Sequence, residues 1–242
     1  MVAAARGKAQ ATFVLVHGAW HGGWCWRRVA DLLEARGHKV YSPTLTGLGE
    51  RSHLMSAGIN LDTHIADVVN LIKWEGLDQV VLCGHSYAGW VISGVAEEMQ
   101  ERIASIVFLD AFMPENGQKG LDLQTPEARA QILEAVREGR VSRSWPAAIP
   151  LNVAEENRAW VASRLTLQPI GVTLQPIRLS GARDRIAKKA YIRTTRYEMP
   201  AFDQFCARLR ADPSWRVFQM DCGHDAMVDM PEALADILLQ AV

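Results

Sequence analysis

Ser86 is the residue of this 242-residue chain best placed to do chemistry. It stands in Val80-Val81-Leu82-Cys83-Gly84-His85-Ser86-Tyr87-Ala88-Gly89-Trp90, an apolar run that passes through small residues into a stretch of helical period. A strand, a tight turn and a helix in that order can lift a serine hydroxyl onto a strained bend as a nucleophile, provided the residues two before and two after it are too small to collide. Gly84 and Ala88 meet that demand, although glycine is the usual occupant of the second place. A serine hydroxyl is a weak nucleophile until a base takes its proton and a third group orients that base, so a histidine and a carboxylate must come from elsewhere. Two segments hold suitable types directly after apolar runs: His17-Gly18-Ala19-Trp20 and Met220-Asp221-Cys222-Gly223-His224-Asp225. A metal reading of His17 and His21 would need a helix to bring positions i and i+4 together, and the glycines between them argue for a loop, so no metal site is expected.

The elements that would carry these residues follow from periodicity. Thr12–Val16, Lys39–Tyr41, Gln79–Cys83, Ala104–Leu109, Ala190–Thr194 and Trp215–Met220 are short, rich in β-branched residues and without helical period, which predicts buried strands. Trp26–Ala35, Asp62–Glu75, Ala88–Gln100, Phe202–Leu209 and Pro231–Ala241 have helical period, with Asp62 expected to cap the second of them and Pro231 fitting a first helical turn. Alternation of this kind predicts an α/β fold with a mostly parallel central sheet and helices on both faces. From Pro114 to Ala187 the alternation stops. That segment is charged, punctuated by proline and helix-prone over Thr125–Gly139 and Ala154–Leu165, with no strand expected before Ala190. It reads as an inserted helical cap over the sheet end where ligands bind in such folds, and hence as lid and specificity element.

Together, the elbow around Ser86 and the strand ending in His17-Gly18 resemble the α/β-hydrolase fold. His17-Gly18-Ala19-Trp20-His21-Gly22-Gly23-Trp24 is more closely similar to the opening of the plant methylesterase and hydroxynitrile lyase family and its small bacterial esterase relatives. The resemblance implies one domain over 1–242, with core 10–113 and 188–242 and cap 114–187. It implies Ser86 as nucleophile, His224 as base, and the backbone N–H groups of Ala19 and Tyr87 as an oxyanion hole, two fixed donors for the charge that develops in an acyl-transfer intermediate. For the acid it offers two positions, one at the end of the strand before the cap and one after the strand that follows it. Asp110, in Leu109-Asp110-Ala111-Phe112-Met113-Pro114, resembles the acid-bearing stretch of the haloalkane dehalogenase branch and is preferred; Glu198 is the nearest carboxylate at the other position.

The expected activity is therefore that of a serine carboxylesterase on small alkyl or aryl esters, xenobiotic esters or carbamates included, working through an acyl-enzyme with no cofactor. Alternatives on the same triad are a hydroxynitrile lyase, a lactonase, a carbon–carbon bond hydrolase, or a non-catalytic ligand receptor. The lyases carry a lysine after the base and a threonine near the oxyanion loop, where this chain has Asp225 and Ala19, and a dehalogenase needs a carboxylate where Ser86 stands. Trp20 and His85 are the expected pocket residues, with His17 bracing the loop. His38, His53, His64 and His85 are expected on loops or the surface, and Trp24 and Trp26 are expected to pack the first helix on the sheet. Asp225 is expected to point away from the His224 ring. Gly47-Leu48-Gly49 lacks the third glycine of a dinucleotide fingerprint and reads as a loop near the pocket.

Composition bounds the partners. Twenty-six basic against 27 acidic residues leave no global field for nucleic acid or an anionic membrane, so the partner expected is a small-molecule ester, with a homodimer left open. Four cysteines without CxxC or metal spacing predict free thiols and a cytoplasmic location. Met1–Ala11 is polar apart from its alanines, and Phe13–Val16 is too brief for a signal core or a membrane span, so the chain reads as soluble and unprocessed.

Overall fold

In the computed structural model, which describes residues 10–146 and 152–241, the strands are β1 (Thr12–Val16), β2 (Lys39–Tyr41), β3 (Val80–His85), β4 (Ile103–Leu109), β5 (Ser142–Arg143), β6 (Gln168–Pro169), β7 (Lys188–Thr194) and β8 (Trp215–Met220). The helices are α1 (Arg27–Ala35), α2 (Leu61–Trp74), α3 (Ala88–Met99), α4 (Pro126–Arg137), α5 (Glu155–Ala162), α6 (Gly171–Leu174), α7 (Ala182–Arg185), α8 (Pro200–Arg210), α9 (Ala226–Asp229) and α10 (Pro231–Gln240). Six strands form one parallel sheet in the order β2-β1-β3-β4-β7-β8. Because side chains alternate across a strand, each strand feeds two cores. Val14, Leu82, Ile106 and Phe108 pack with α2, α3 and α8 on one face. Phe13, Leu15, Val81, Val107 and Ile192 pack with α1 and α10 on the other. Each fully buried aliphatic side chain of this kind contributes roughly 1.5–3 kcal/mol. Trp26 is fully buried in the second core, on the seam between α1 and the sheet.

All six strands run the same way, so the loops that follow them gather at one sheet edge. Those loops carry Gly18, Ser86, Asp110, Thr195 and His224. Among the described residues of 114–187 none adds a strand to the central sheet, but they are not wholly helical as expected: β5 and β6 form a separate antiparallel pair, Ser142 opposite Pro169 and Arg143 opposite Gln168. Two-residue strands, one containing proline, leave no alternation to read. The cap of α2 also differs from expectation. Asn60, not Asp62, accepts from Thr63 N–H at 3.1 Å, while Thr63 Oγ1 accepts from Asn60 N–H at 3.2 Å, a reciprocal box that puts Asp62 inside the first turn. Within the cap, residues 147–151 lie outside the described residues, as do residues 1–9 of the N-terminal reading. No described helix is long and apolar enough to cross a membrane.

Candidate active site

The turn between β3 and α3 is held from both sides. Ser86 N–H donates to Leu109 O at 3.1 Å, and Ser86 O accepts from Gly89 N–H at 3.1 Å and Phe112 N–H at 3.2 Å. The resulting Ser86 φ is +54°. Trp20, Gln79, Ser86 and Asp110 are the non-glycine residues at positive φ among the described residues, and all but Gln79 lie at the edge where the site loops meet. Strain retained in this way is characteristic of functional positions. A Cβ on Gly84 would stand 2.9 Å from Ala88 O, and one on Gly18 would stand 3.1 Å from Ser86 Cβ. Gly89 is more constrained still, with Phe112 O 1.9 Å from any added Cβ, a requirement the spacing rule had not included.

His224 meets Asp110. Its Nδ1 lies 2.7 Å from Asp110 Oδ2. A carboxylate only accepts, so Nδ1 carries the proton and Nε2 is left with a lone pair. The ring is stacked on Tyr197, with centroids 4.2 Å apart, and tilted against His85 at 4.4 Å. Asp110 has no exposed surface. Its other oxygen, Oδ1, accepts from Thr194 N–H at 3.1 Å and from the Arg193 guanidinium at 2.7 Å. Burial alone would raise this carboxyl, but the hydrogen bond from His224, with the Arg193 charge and the Thr194 hydrogen bond, holds it below the usual carboxylate range. Glu198 is exposed and pairs with none of these groups. Arg193 was not singled out from the sequence; an arginine inside the apolar run Tyr191-Ile192 was the signal. It also bonds Asp203 at 2.8 Å and Tyr197 O at 2.6 Å.

A second carboxylate–histidine set lies behind the first. Asp225 is buried and accepts from His21 Nε2 at 3.0 Å, with its other oxygen 3.7 Å from His85 Nε2. Burial would raise Asp225, yet the charge of His21 and the hydrogen bond it donates hold it far below the carboxylate range. His85 Nε2 donates to His224 O at 3.1 Å, while its Nδ1 is buried without a partner. His17 takes Leu45 N–H on Nε2 at 3.0 Å and gives Nδ1–H to Gly18 O at 2.8 Å. His53 is exposed and His38 lies on the loop between α1 and β2, as expected, though buried there; His64, on α2, and His85, on β3, are buried, contrary to expectation. His64 lies on the core side of α2 and bonds Tyr87 Oη at 3.0 Å and Thr46 O at 2.9 Å. Burial lowers His17 and His85 to about 3 and His64 to about 4.

No backbone or side-chain acceptor takes the N–H of Ala19 or Tyr87 among the described residues. Both residues line a cavity of about 980 Å³ together with Ser86, His85, Trp20 and His224, and the cap closes its far side through Gln131, Arg143 and Gln168. That volume suits a drug-sized ligand. Trp90 and Trp145 line it too, while Trp24 and Trp160 face each other elsewhere, 5.1 Å apart. A separate hollow of about 500 Å³ beside Gly47 carries no titratable side chain. No group of three metal-ligating side chains occurs among the described residues.

Residues 13–237 match the model of the alpha/beta hydrolase family. A carbendazim hydrolyzing esterase of Nocardioides sp. (strain SG-4G) is 40% identical over 237 residues, covering 94% of this chain and 98% of that one. Methylesterase 1 of Arabidopsis thaliana is 36% identical over 119 residues, 45% of this chain and 42% of that one. Among solved structures, an extracellular alpha/beta-hydrolase from a Paenibacillus species superposes with a TM-score of 0.83 at 24% identity, covering 96% of this chain and 98% of that one. The chain belongs to the alpha/beta hydrolase family and is a carboxylic ester hydrolase.

Proposed function

We propose that the chain is a serine carboxylesterase acting on small alkyl or aryl esters through Ser86, His224 and Asp110. The observation that carries this reading is the 2.7 Å bond from His224 to Asp110, made in the cavity that Ser86 also lines from a strained turn. In the reaction His224 Nε2 takes the Ser86 hydroxyl proton as Oγ attacks the ester carbonyl carbon. The carbonyl oxygen becomes negative and is held by the N–H groups of Ala19 and Tyr87; a donor of this kind is worth about 3–4 kcal/mol. His224 returns the proton to the leaving alkoxide as the carbon–oxygen bond breaks. Water then gives a proton to the same nitrogen as it attacks the acyl carbon, and when the acyl–Oγ bond breaks that proton passes to Ser86 Oγ, releasing the acid and restoring the serine. Asp110 fixes the imidazole tautomer and stabilises the imidazolium.

The ester-hydrolysing relative supports the reaction class. Asp225 directly after His224, and Ala19 in the oxyanion loop, favour hydrolysis over cyanohydrin cleavage. The cap, 114–187, is the specificity element in this reading. Buried, free cysteines among the described residues support a reducing, cytoplasmic setting. The test is a chain-length panel of p-nitrophenyl esters, with mandelonitrile beside it and Ser86→Ala as control. Turnover that drops to background in the folded variant is expected. Cyanide release without ester turnover would make the protein a lyase, and activity retained in Ser86→Ala would remove the nucleophile.

A further inference from the structure

Ser86, His224 and the two backbone donors leave part of the cavity wall without a role. Arg143 of β5 and Gln168 of β6 face each other across the cap's antiparallel pair, and both line the cavity. Gln168 is 1% exposed. Its Oε1 accepts Trp20 N–H at 2.8 Å, which fixes the orientation of the amide, because a backbone N–H cannot donate to an NH2 group. Its Nε2 is thereby left buried with no acceptor. The Arg143 guanidinium lies over the Trp20 ring at 4.5 Å. Its Nε is also buried without an acceptor, and no carboxylate pairs with the guanidinium among the described residues.

A half-buried charge without an ion-pair partner gives up hydration that a cation–π contact only partly returns. Burial alone pulls the Arg143 guanidinium down to about 10, with no anion to restore it. Glu127 and Glu134 of α4 also line the cavity, but neither pairs with the Arg143 guanidinium, and Glu134 bonds Arg137 instead. Trp20 ties both orphan donors to the reacting end. Its N–H bonds Gln168, its indole Nε1 donates to Arg143 O at 3.2 Å, its ring lies against the guanidinium, and it directly follows Ala19.

We propose that Arg143 and Gln168 bind a carboxylate carried by the substrate, so that the preferred esters are half-esters, dicarboxylic acids with one carboxyl esterified and the other free. A planar fork of N–H donors matches a planar carboxylate, and an anion also offsets the half-buried charge. The inference rests on the serine esterase reading.

The test compares monomethyl and dimethyl esters of succinic, glutaric and adipic acids, with p-nitrophenyl acetate as the measure of esterase activity itself. For at least one chain length the unmodified enzyme is expected to favour the half-ester over the diester by tenfold or more in kcat/KM. That ratio is internal to each protein sample and is expected to fall about tenfold in Arg143→Met and less in Arg143→Lys, which keeps a charge. Calorimetry with glutarate and adipate reads the same subsite without turnover, with binding expected in the unmodified protein and lost in Arg143→Met. Equal or better use of diesters at every length, or a ratio unchanged in Arg143→Met, overturns the inference while leaving the esterase intact. Absence of p-nitrophenyl acetate turnover would overturn the esterase reading instead, and dicarboxylate binding would then decide the subsite alone.

Discussion

A carboxylate that orients an imidazole must stay ionised in a place without water, and Asp110 does so by accepting three hydrogen bonds at once. The Arg193 bond has a further consequence. A full positive charge 2.7 Å from Oδ1 keeps the carboxylate ionised, yet spends part of the field that would stabilise the His224 imidazolium. In the proposed triad the acid acts by geometry more than by charge, and removing its acceptor oxygen should be severe. Asp110→Asn presents an NH2 or a neutral oxygen to Nδ1, disfavours the productive tautomer, and is expected to lower kcat about 10⁴-fold. Glu198→Gln, at an exposed position without a bond to the ring, is expected to stay within a few-fold. Steady-state kinetics on p-nitrophenyl esters decide it, and the reverse order of losses would move the acid to the later loop. Ser86, His224 and Asp110 could be singled out from sequence as candidates because each follows a recognisable apolar run. Arg193 and Asp225 could not, since their bonds join residues 83 and 204 positions apart and no local pattern encodes them.

At the scale of elements, the six sheet strands were legible because buried parallel strands are continuous β-branched runs, and the helices because their apolar residues recur every third or fourth place. The cap ribbon was not legible, being held by the meeting of two dipeptides. It is nevertheless the ribbon that brings Arg143 and Gln168 to the cavity. The turn at Ser86 has a requirement of the same hidden kind, the approach of α3 to the loop after β4. Phe112 O would lie 1.9 Å from a Cβ on Gly89, and Ser86 O bonds both Gly89 N–H and Phe112 N–H. Backbone cannot swing aside as a side chain can, so Gly89→Ala must part α3 from the segment that follows Asp110. The expected cost is about 1–3 kcal/mol, a fall in Tm of roughly 2–12 °C at 2–4 °C per kcal/mol, with a larger fractional loss of kcat than of folded protein. Gly58→Ala is the control, its nearest neighbour being 3.9 Å away. Identical melting and turnover in the two variants would sink the account.

Across the whole molecule, the cost of assembling this site appears as acid sensitivity. His17, His64 and His85 are buried and neutral, with burial lowering them to about 3, 4 and 3. In the unfolded chain each would titrate near 6.5. Between about pH 6.5 and pH 4, therefore, the unfolded state binds protons that the folded state refuses, and stability falls as pH falls. Each histidine contributes up to ~1.4 kcal/mol per pH unit, and the three together up to ~4. His21 runs the other way: burial lowers it, but Asp225 raises it above its ordinary value overall, so its contribution is complete below 6.5 and is lost as pH rises through its folded value. It adds no slope in the acid window and places the stability maximum near neutrality. Asp110 and Asp225 are held low in the fold, so the stability they give fails only as pH drops below the ordinary carboxylate value. Two pH units of histidine titration amount to ~8 kcal/mol, within the whole stability of an ordinary domain. Melting followed from pH 7.5 to pH 4.5 should thus show Tm falling steeply below 6.5, with unfolding at room temperature near the acid end. His64→Gln, which removes one of the three titrating rings, should flatten that fall by about a third. A Tm that stays level down to pH 4.5 would mean that these rings are protonated in the fold, and the hydrogen bond that His17 Nε2 accepts from Leu45 N–H could then not exist as drawn.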